Sequence, residues 1–182
     1  KWLSLSRFLF MAAFPKRFDR KIIAELRGVV DEKGASPFWE AVGRKFFKSD
    51  FKTADFLTSV GHREIIAGLM PRHPLYLPLL PESAQTVVGK VHRSTEPALA
   101  LLKAQGFLFN DEVDIFDGGP TMMANLSEVR TVKESVCAEL TGWLPANSPA
   151  LPMALLSNER LDFRACTGSV RIEAGKGVQV SA

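Results

Sequence analysis

Between Val88 and Thr121 the sequence reads VGKVHRSTEPA, a short helical stretch, and then VDIFDGGPT, which sets His92, Asp114 and Asp117 at breaks between regular elements. Titratable side chains at such breaks can reach a substrate. An imidazole with an ordinary pKa of about 6.5 is partly protonated near neutral pH and can supply a proton to a departing group. A carboxylate such as Asp114 or Asp117 can hold a guanidinium, a planar cation that prefers a two-oxygen partner. Each residue also has a plainer reading. His92 could simply satisfy a backbone carbonyl at a helix start, and position alone favours that. Asp117-Gly118-Gly119-Pro120 is good turn chemistry, so Asp117 is assigned to structure and Asp114 is kept as the substrate-binding candidate.

Two more charges fall on a patterned run. From Lys21 to Arg27 the chain alternates, with Ile22, Ala24 and Leu26 on one face and Ile23, Glu25 and Arg27 on the other. Glu25 and Arg27 then either line a substrate cleft or form a cross-strand ion pair, and the spacing weights the two equally. His73, between Arg72 and Pro74, reads as a packed or solvent-facing side chain, and His62 as a cap or surface group. The group Phe38, Trp39, Phe46 and Phe47 reads as core.

The elements that must position these residues follow from periodicity. Trp2, Leu5, Leu9 and Ala12 recur at helical spacing until Pro15, and Phe8 to Phe14 is expected to be a buried helix face. Ser36-Pro37 is a cap followed by a first-turn proline, leading a stripe of Phe38, Ala41, Val42 and Phe46. A helical pattern runs from Thr53, breaks at Gly61 and ends at Pro71. Pro71, Pro74, Pro78 and Pro81 then space Leu75, Tyr76, Leu77, Leu79 and Leu80 into what is expected to be a packed loop. A short helix is expected from Glu82 to Val88, ending at Gly89. Thr95 is expected to cap the next, whose Ala98, Leu101 and Leu102 face inward before Gly106. A strand is expected from Glu112 to Phe116. Beyond Asn125 the strand signals are Val129 to Val132, Met153 to Leu156, Leu161 to Ala165, Val170 to Glu173 and Val178 to Val180. A linker lies at Pro145 to Pro152, and a hairpin turn at Gly175-Lys176-Gly177.

Composition limits the function classes. The 182 residues can bury a real core, and 24% charged with 46% hydrophobic residues is the balance of a globular protein. The net charge of +3 comes with no block of five like charges, which argues against a nucleic-acid partner. The longest apolar run, Phe8 to Phe14, falls far short of the roughly 20 residues of a bilayer span. With no signal-peptide pattern, the cytoplasm is the expected location. Cys137 and Cys166 lack any metal-ligand or redox spacing, so a reduced compartment, two ordinary thiols and no structural metal are expected.

The segments FLFMAAF, IIAELRGVVDEKGASPFWEAVGRKFF, LMPRHPLY, VVGKVHRSTEPALALLKAQGF and VDIFDGGPT resemble, in order and spacing, the arginine N-succinyltransferase family of the arginine-degradation pathway. The likeness is strong from Lys1 to Thr121 and weaker through ALLSNERLDFRA to Ala165. It implies an α+β fold: part of a GNAT-like acyl-CoA N-acyltransferase domain over 1–124, then a small β-rich region over 125–182. It implies succinyl transfer from succinyl-CoA, a co-substrate, to the α-amino group of L-arginine, with ornithine accepted by some members and no permanently bound cofactor. The family's proton donor is the histidine of V-H-x-x-T-x-P-A, which falls on His92, with Thr95, Pro97 and Ala98 in matching places. That reverses the odds set by position alone. Acid catalysis would contribute about 10²-fold, because a thiol of pKa roughly 8.5 leaves with modest help.

Family members carry, ahead of the first helix, a strand and a Gly-containing loop that cradles the CoA pyrophosphate. The sequence opens at Lys1 without methionine and is expected to be the C-terminal part of a longer enzyme, so no CoA-binding residue is assigned. The alternative is a non-catalytic partner, a degenerate or truncated subunit that binds a sibling chain. Trp2, Phe8 and Phe10 would then be exposed or covered by a neighbour. A homo- or hetero-oligomer is expected on either reading.

Overall fold

The computed structural model describes the chain apart from positions 1, 48, 51–52, 55, 57–67, 69–71, 146–147, 150, 174–176 and 182. It is α+β and divides into two compact units, one of residues 23–124 and one of residues 1–22 with 125–182.

The unit of 23–124 is built on a three-stranded sheet of order β1-β3-β2, from β1 (Lys21–Glu25), β2 (Leu108–Val113) and β3 (Pro120–Asn125). The alternation of the first run holds: Lys21, Ile23 and Glu25 are exposed, while Ile22 and Ala24 are half-buried. β2 and β3 pair antiparallel, Leu108 opposite Met123 and Val113 opposite Pro120, with an irregularity between Phe109 and Val113 where Asp111 adopts a left-handed φ of 56°. The strand expected at Glu112 to Phe116 therefore lies earlier, and residues 114–117 turn instead. The Asp114 carboxylate causes this, because it captures the amides of Phe116 and Asp117 and so competes with ladder pairing. β3 was not anticipated. PTMMAN has little β propensity, and burial of Met122 and Ala124 decides its state.

Ser36 caps α2 (Pro37–Ala41), its Oγ accepting from Trp39 N–H at 3.2 Å. The apolar stripe then breaks at Val42, and α3 (Gly43–Phe47) begins a new helix. Trp39 is fully buried, stacks on Phe47 and Phe116 at centroid distances of 5.3 and 5.4 Å, and donates Nε1–H to Ser49 O at 3.0 Å. The aromatic cluster is core, as its composition suggests. The pattern from Thr53 to Pro71 lies mostly outside the described residues, as does His62. Residues 72–80 are a loop with a 3-10 turn at Leu77–Leu79, but Leu75, Tyr76, Leu77 and Leu79 are exposed rather than packed. α4 (Glu82–Gln85) is shorter than expected. In α5 (Glu96–Ala104) Leu102 is buried, whereas Ala98 is exposed.

In the other unit α1 (Trp2–Ala13) packs on α6 (Arg130–Glu134) and β5 (Met153–Ser157). Phe8 is buried, and Phe10 meets Phe14, Phe18 and Phe163 at 4.9, 5.9 and 5.1 Å. The helix thus folds with the C-terminal segment, although the sequence division at 124 grouped it with the first part. Val129 to Val132 is not a strand. Val129 is fully buried and leads directly into α6. A four-stranded sheet of order β4-β7-β6-β5 completes the unit, with β4 (Leu140–Trp143), β6 (Ala165–Glu173) and β7 (Gly177–Val180). β4 was not anticipated, and 161–164 are outside the sheet. β6 and β7 pair antiparallel as expected, with Glu173 opposite Gly177; of the expected turn Gly175-Lys176-Gly177, Gly177 already belongs to β7 and the other two lie outside the described residues. Cys137 and Cys166 are free and exposed, and the Glu159 carboxylate beside Cys137 pushes that thiol's pKa up. Among the described residues no helix is long and apolar enough to cross a membrane.

Because Trp39 joins α2, α3 and the 114–119 turn, Trp39→Ala should lower the unfolding free energy by roughly 3–5 kcal/mol. Urea denaturation checks this. A loss below about 1 kcal/mol would mean that the cluster does not hold the turn.

Candidate functional site

Three segments converge at the end of the three-stranded sheet. Past β1 the chain stays extended, Leu26 N–H donating to Pro120 O at 3.1 Å and Gly28 bridging Val91. His92 N–H donates to Arg27 O at 2.9 Å, and Gly89 N–H to Gly118 O at 2.8 Å. The loop bearing His92 is therefore bonded both to the segment after β1 and to the turn before β3.

Asp117 locks the crossing. Its Oδ2 accepts from Gly28 N–H and its Oδ1 from Gly119 N–H, both at 2.8 Å, with the residue only 7% exposed. Burial pushes its pKa above the ordinary value; the Gly119 and Gly28 amides pull it down, nearby Asp114 pushes it up and Arg27 pulls it down. Glycine is needed here for space. A Cβ on Gly28 would lie 2.6 Å from both Asp117 Oδ1 and Gly119 N, and one on Gly119 would overlap the Leu26 carbonyl. Gly118 has φ +69° and lies against the Phe38 ring, so the aromatic core braces the same turn.

The imidazole of His92 is half-buried at the start of the 3-10 turn Arg93–Thr95. Nδ1 lies 2.7 Å from Ser94 Oγ and accepts from Ser94 N–H at 3.2 Å. The cap of this helical start is thus the imidazole, and Thr95 makes no capping bond. Ser94 was not singled out by sequence; its signal is the two-residue spacing at which a polar side chain commonly bonds a backbone amide.

Of the other sequence candidates, Arg27 is exposed and its backbone carries the loop of His92. Asp114 is half-buried in the same cluster. Its Oδ1 accepts from Phe116 N–H at 2.8 Å and Asp117 N–H at 3.1 Å, while Oδ2 bonds no described residue. One oxygen is thereby committed to the turn, and the other is bonded to none of the described residues. Glu25 is exposed two residues before Arg27, and no ion pair joins the two. His73 is exposed in the proline-spaced loop. Among the described residues no group of three or more His, Cys, Asp or Glu side chains could hold a metal ion.

The family described as arginine N-succinyltransferase beta subunit matches residues 1–131. The arginine N-succinyltransferases of Salmonella arizonae and Salmonella newport are each 48% identical to this chain over 164 residues, covering 90% of it and 47% of the relative. The solved structure of the arginine/ornithine succinyltransferase subunit AI from Pseudomonas aeruginosa superposes with a TM-score of 0.83 at 35% identity, over 98% of this chain and 50% of that one. The chain spans about half the length of the relatives it matches.

Asp117 gives this site a pH signature. Its folded-state pKa is raised, so its contribution to stability is fully present below the ordinary value near 3.8 and is lost as pH rises through the raised value. Asp117→Asn sets an amide NH2 against a backbone N–H and should cost about 1–3 kcal/mol. The gap between wild type and variant should be widest near pH 4 and narrow toward neutrality, read from urea midpoints across that range. A gap that widens with pH would mean the buried amides, not desolvation, dominate.

Proposed function

This chain belongs to the arginine N-succinyltransferase family, and we propose that it carries the histidine side of a site transferring a succinyl group from succinyl-CoA to the α-amino group of L-arginine. Ornithine is the second amine to consider, because the solved relative is named for both. The observation that carries the reading is His92, held by Arg27 O and Ser94 within the one cluster that also contains Asp114 and Asp117. The amine nitrogen attacks the thioester carbonyl, negative charge builds on the carbonyl oxygen, and the C–S bond breaks to release a thiolate. The His92 N–H stabilises that charge. The amine's surplus proton ends on the thiol of free CoA.

Charge suggests how the substrates are divided. Arg27 pairs with the succinyl carboxylate, and Glu25 with the remaining oxygen of Asp114 receives the cationic amine substrate. Substrate positioning contributes more than proton supply, because an amine held against a thioester gains from proximity before any acid acts. Succinyl-CoA is a co-substrate, no permanently bound cofactor takes part, and the setting is cytoplasmic.

The second reading is a non-catalytic subunit bound to a sibling chain. The exposed Trp2, Leu75, Tyr76, Leu77 and Leu79 support it, whereas the packed Phe8 and Phe10 count against it. An assembly of this chain with itself or with a relative is compatible with both.

Mixing the chain with succinyl-CoA and arginine should release free thiol, read against a blank that subtracts the exposed Cys137 and Cys166. His92→Ala should lower kcat about 10²-fold with KM little changed. Arg27→Ala should raise KM for succinyl-CoA roughly tenfold. Thiol release at the blank rate, or a His92→Ala variant as fast as wild type, would remove the catalytic reading.

A further inference from the structure

The two ring nitrogens of His92 have different surroundings. Nδ1 meets the Ser94 amide at 3.2 Å and the Ser94 hydroxyl at 2.7 Å. An amide N–H can only donate, so this contact requires a bare lone pair on Nδ1. A protonated Nδ1 would set two N–H groups against each other. The hydroxyl can donate or accept, and beside a bare Nδ1 it donates. Nε2 bonds no described residue. The ring as a whole is half-buried.

We infer that Ser94 is a positioning residue that holds the neutral His92 ring as its Nε2–H tautomer, with its one N–H on the nitrogen that bonds no described residue. The chemical consequence rests on the proposed function. An Nε2 that already carries a proton cannot take one from the attacking amine. It can donate a hydrogen bond to the charge that builds on the thioester oxygen and then on the departing sulfur. His92 is thereby a fixed donor, and the amine loses its proton to solvent on the way to the thiolate. The ring itself ends the cycle as it began, with no net gain or loss of a proton. Arg27 contributes through its backbone, whose carbonyl fixes the His92 amide and so aims the ring that Ser94 orients.

The tautomer can be read without any activity. Nitrogen-15 NMR of the histidine-labelled 182-residue chain, at a pH of about 8.5 where an ordinary imidazole is neutral, distinguishes a bare ring nitrogen from a protonated one. The His92 pair is assigned by its loss in His92→Asn. The expected result is a protonated Nε2 and a bare Nδ1. Ser94→Ala removes one of the two bonds to Nδ1 and should lower the tautomer ratio about fivefold, while Ser94→Thr, which keeps the hydroxyl, should restore it. Ser94 is exposed, so neither change threatens folding. A protonated Nδ1 in the wild type, or a ratio that Ser94→Ala leaves unchanged, would overturn the inference. If thiol release is also measurable, Ser94→Ala should lower kcat and leave KM in place, with Ser94→Thr again restoring it. Absence of all thiol release would count against the proposed function alone and leave the NMR result standing.

Discussion

One buried carboxylate joins segments that lie 89 residues apart in the chain. Asp117 takes the amide of Gly28 on one oxygen and that of Gly119 on the other, and in doing so closes the end of the three-stranded sheet. Both amides would otherwise be buried donors without acceptors, and each such loss costs more than an ordinary hydrogen bond gains. Neither backbone could approach so closely if it carried a Cβ at Gly28 or Gly119. The bonds from His92 to Arg27 and from Gly89 to Gly118 depend on this crossing, because they tie a third loop to the two segments that Asp117 holds together.

The core acts on the same place. Trp39 stacks on Phe116, and Phe38 lies against Gly118, so a fully buried indole and its neighbour fix the turn from beneath while Asp117 fixes it from within. Aromatic packing is short-ranged and intolerant of gaps, which makes the turn's position a property of the core rather than of a flexible loop. Rigid support of this kind lets a half-buried imidazole keep one orientation without a partner on its outer nitrogen.

The aspartates show how far residue type alone can lead. Asp114 and Asp117 are three residues apart with the same chemistry, and turn propensity was assigned to Asp117. In the structure both serve the backbone. Asp114 caps its own turn, and Asp117 does so too while also reaching across the fold. Local spacing predicts a bond to the amide two or three residues on, because the chain guarantees that proximity. No local pattern predicts the bond to Gly28. The strand signals divide in the same way. Met153 to Leu156 and Val178 to Val180 form strands as their patterns suggest, but Val129 to Val132 becomes a buried residue and a helix, and PTMMAN becomes a strand through burial.

Periodicity and punctuation by themselves determined the first helix, the alternating strand, the Ser36 cap, the aromatic core and the antiparallel pairing of β6 and β7, since these depend on neighbours within a few residues. The five segments from FLFMAAF to VDIFDGGPT, in their order and spacing, pointed to the family. Tertiary structure alone decided that α1 folds with the C-terminal segment, that Asp117 bridges to Gly28, and that the Arg27 carbonyl holds the His92 amide. Each of those depends on groups brought together by closure of the fold, where burial and the need to satisfy every enclosed donor outweigh local preference.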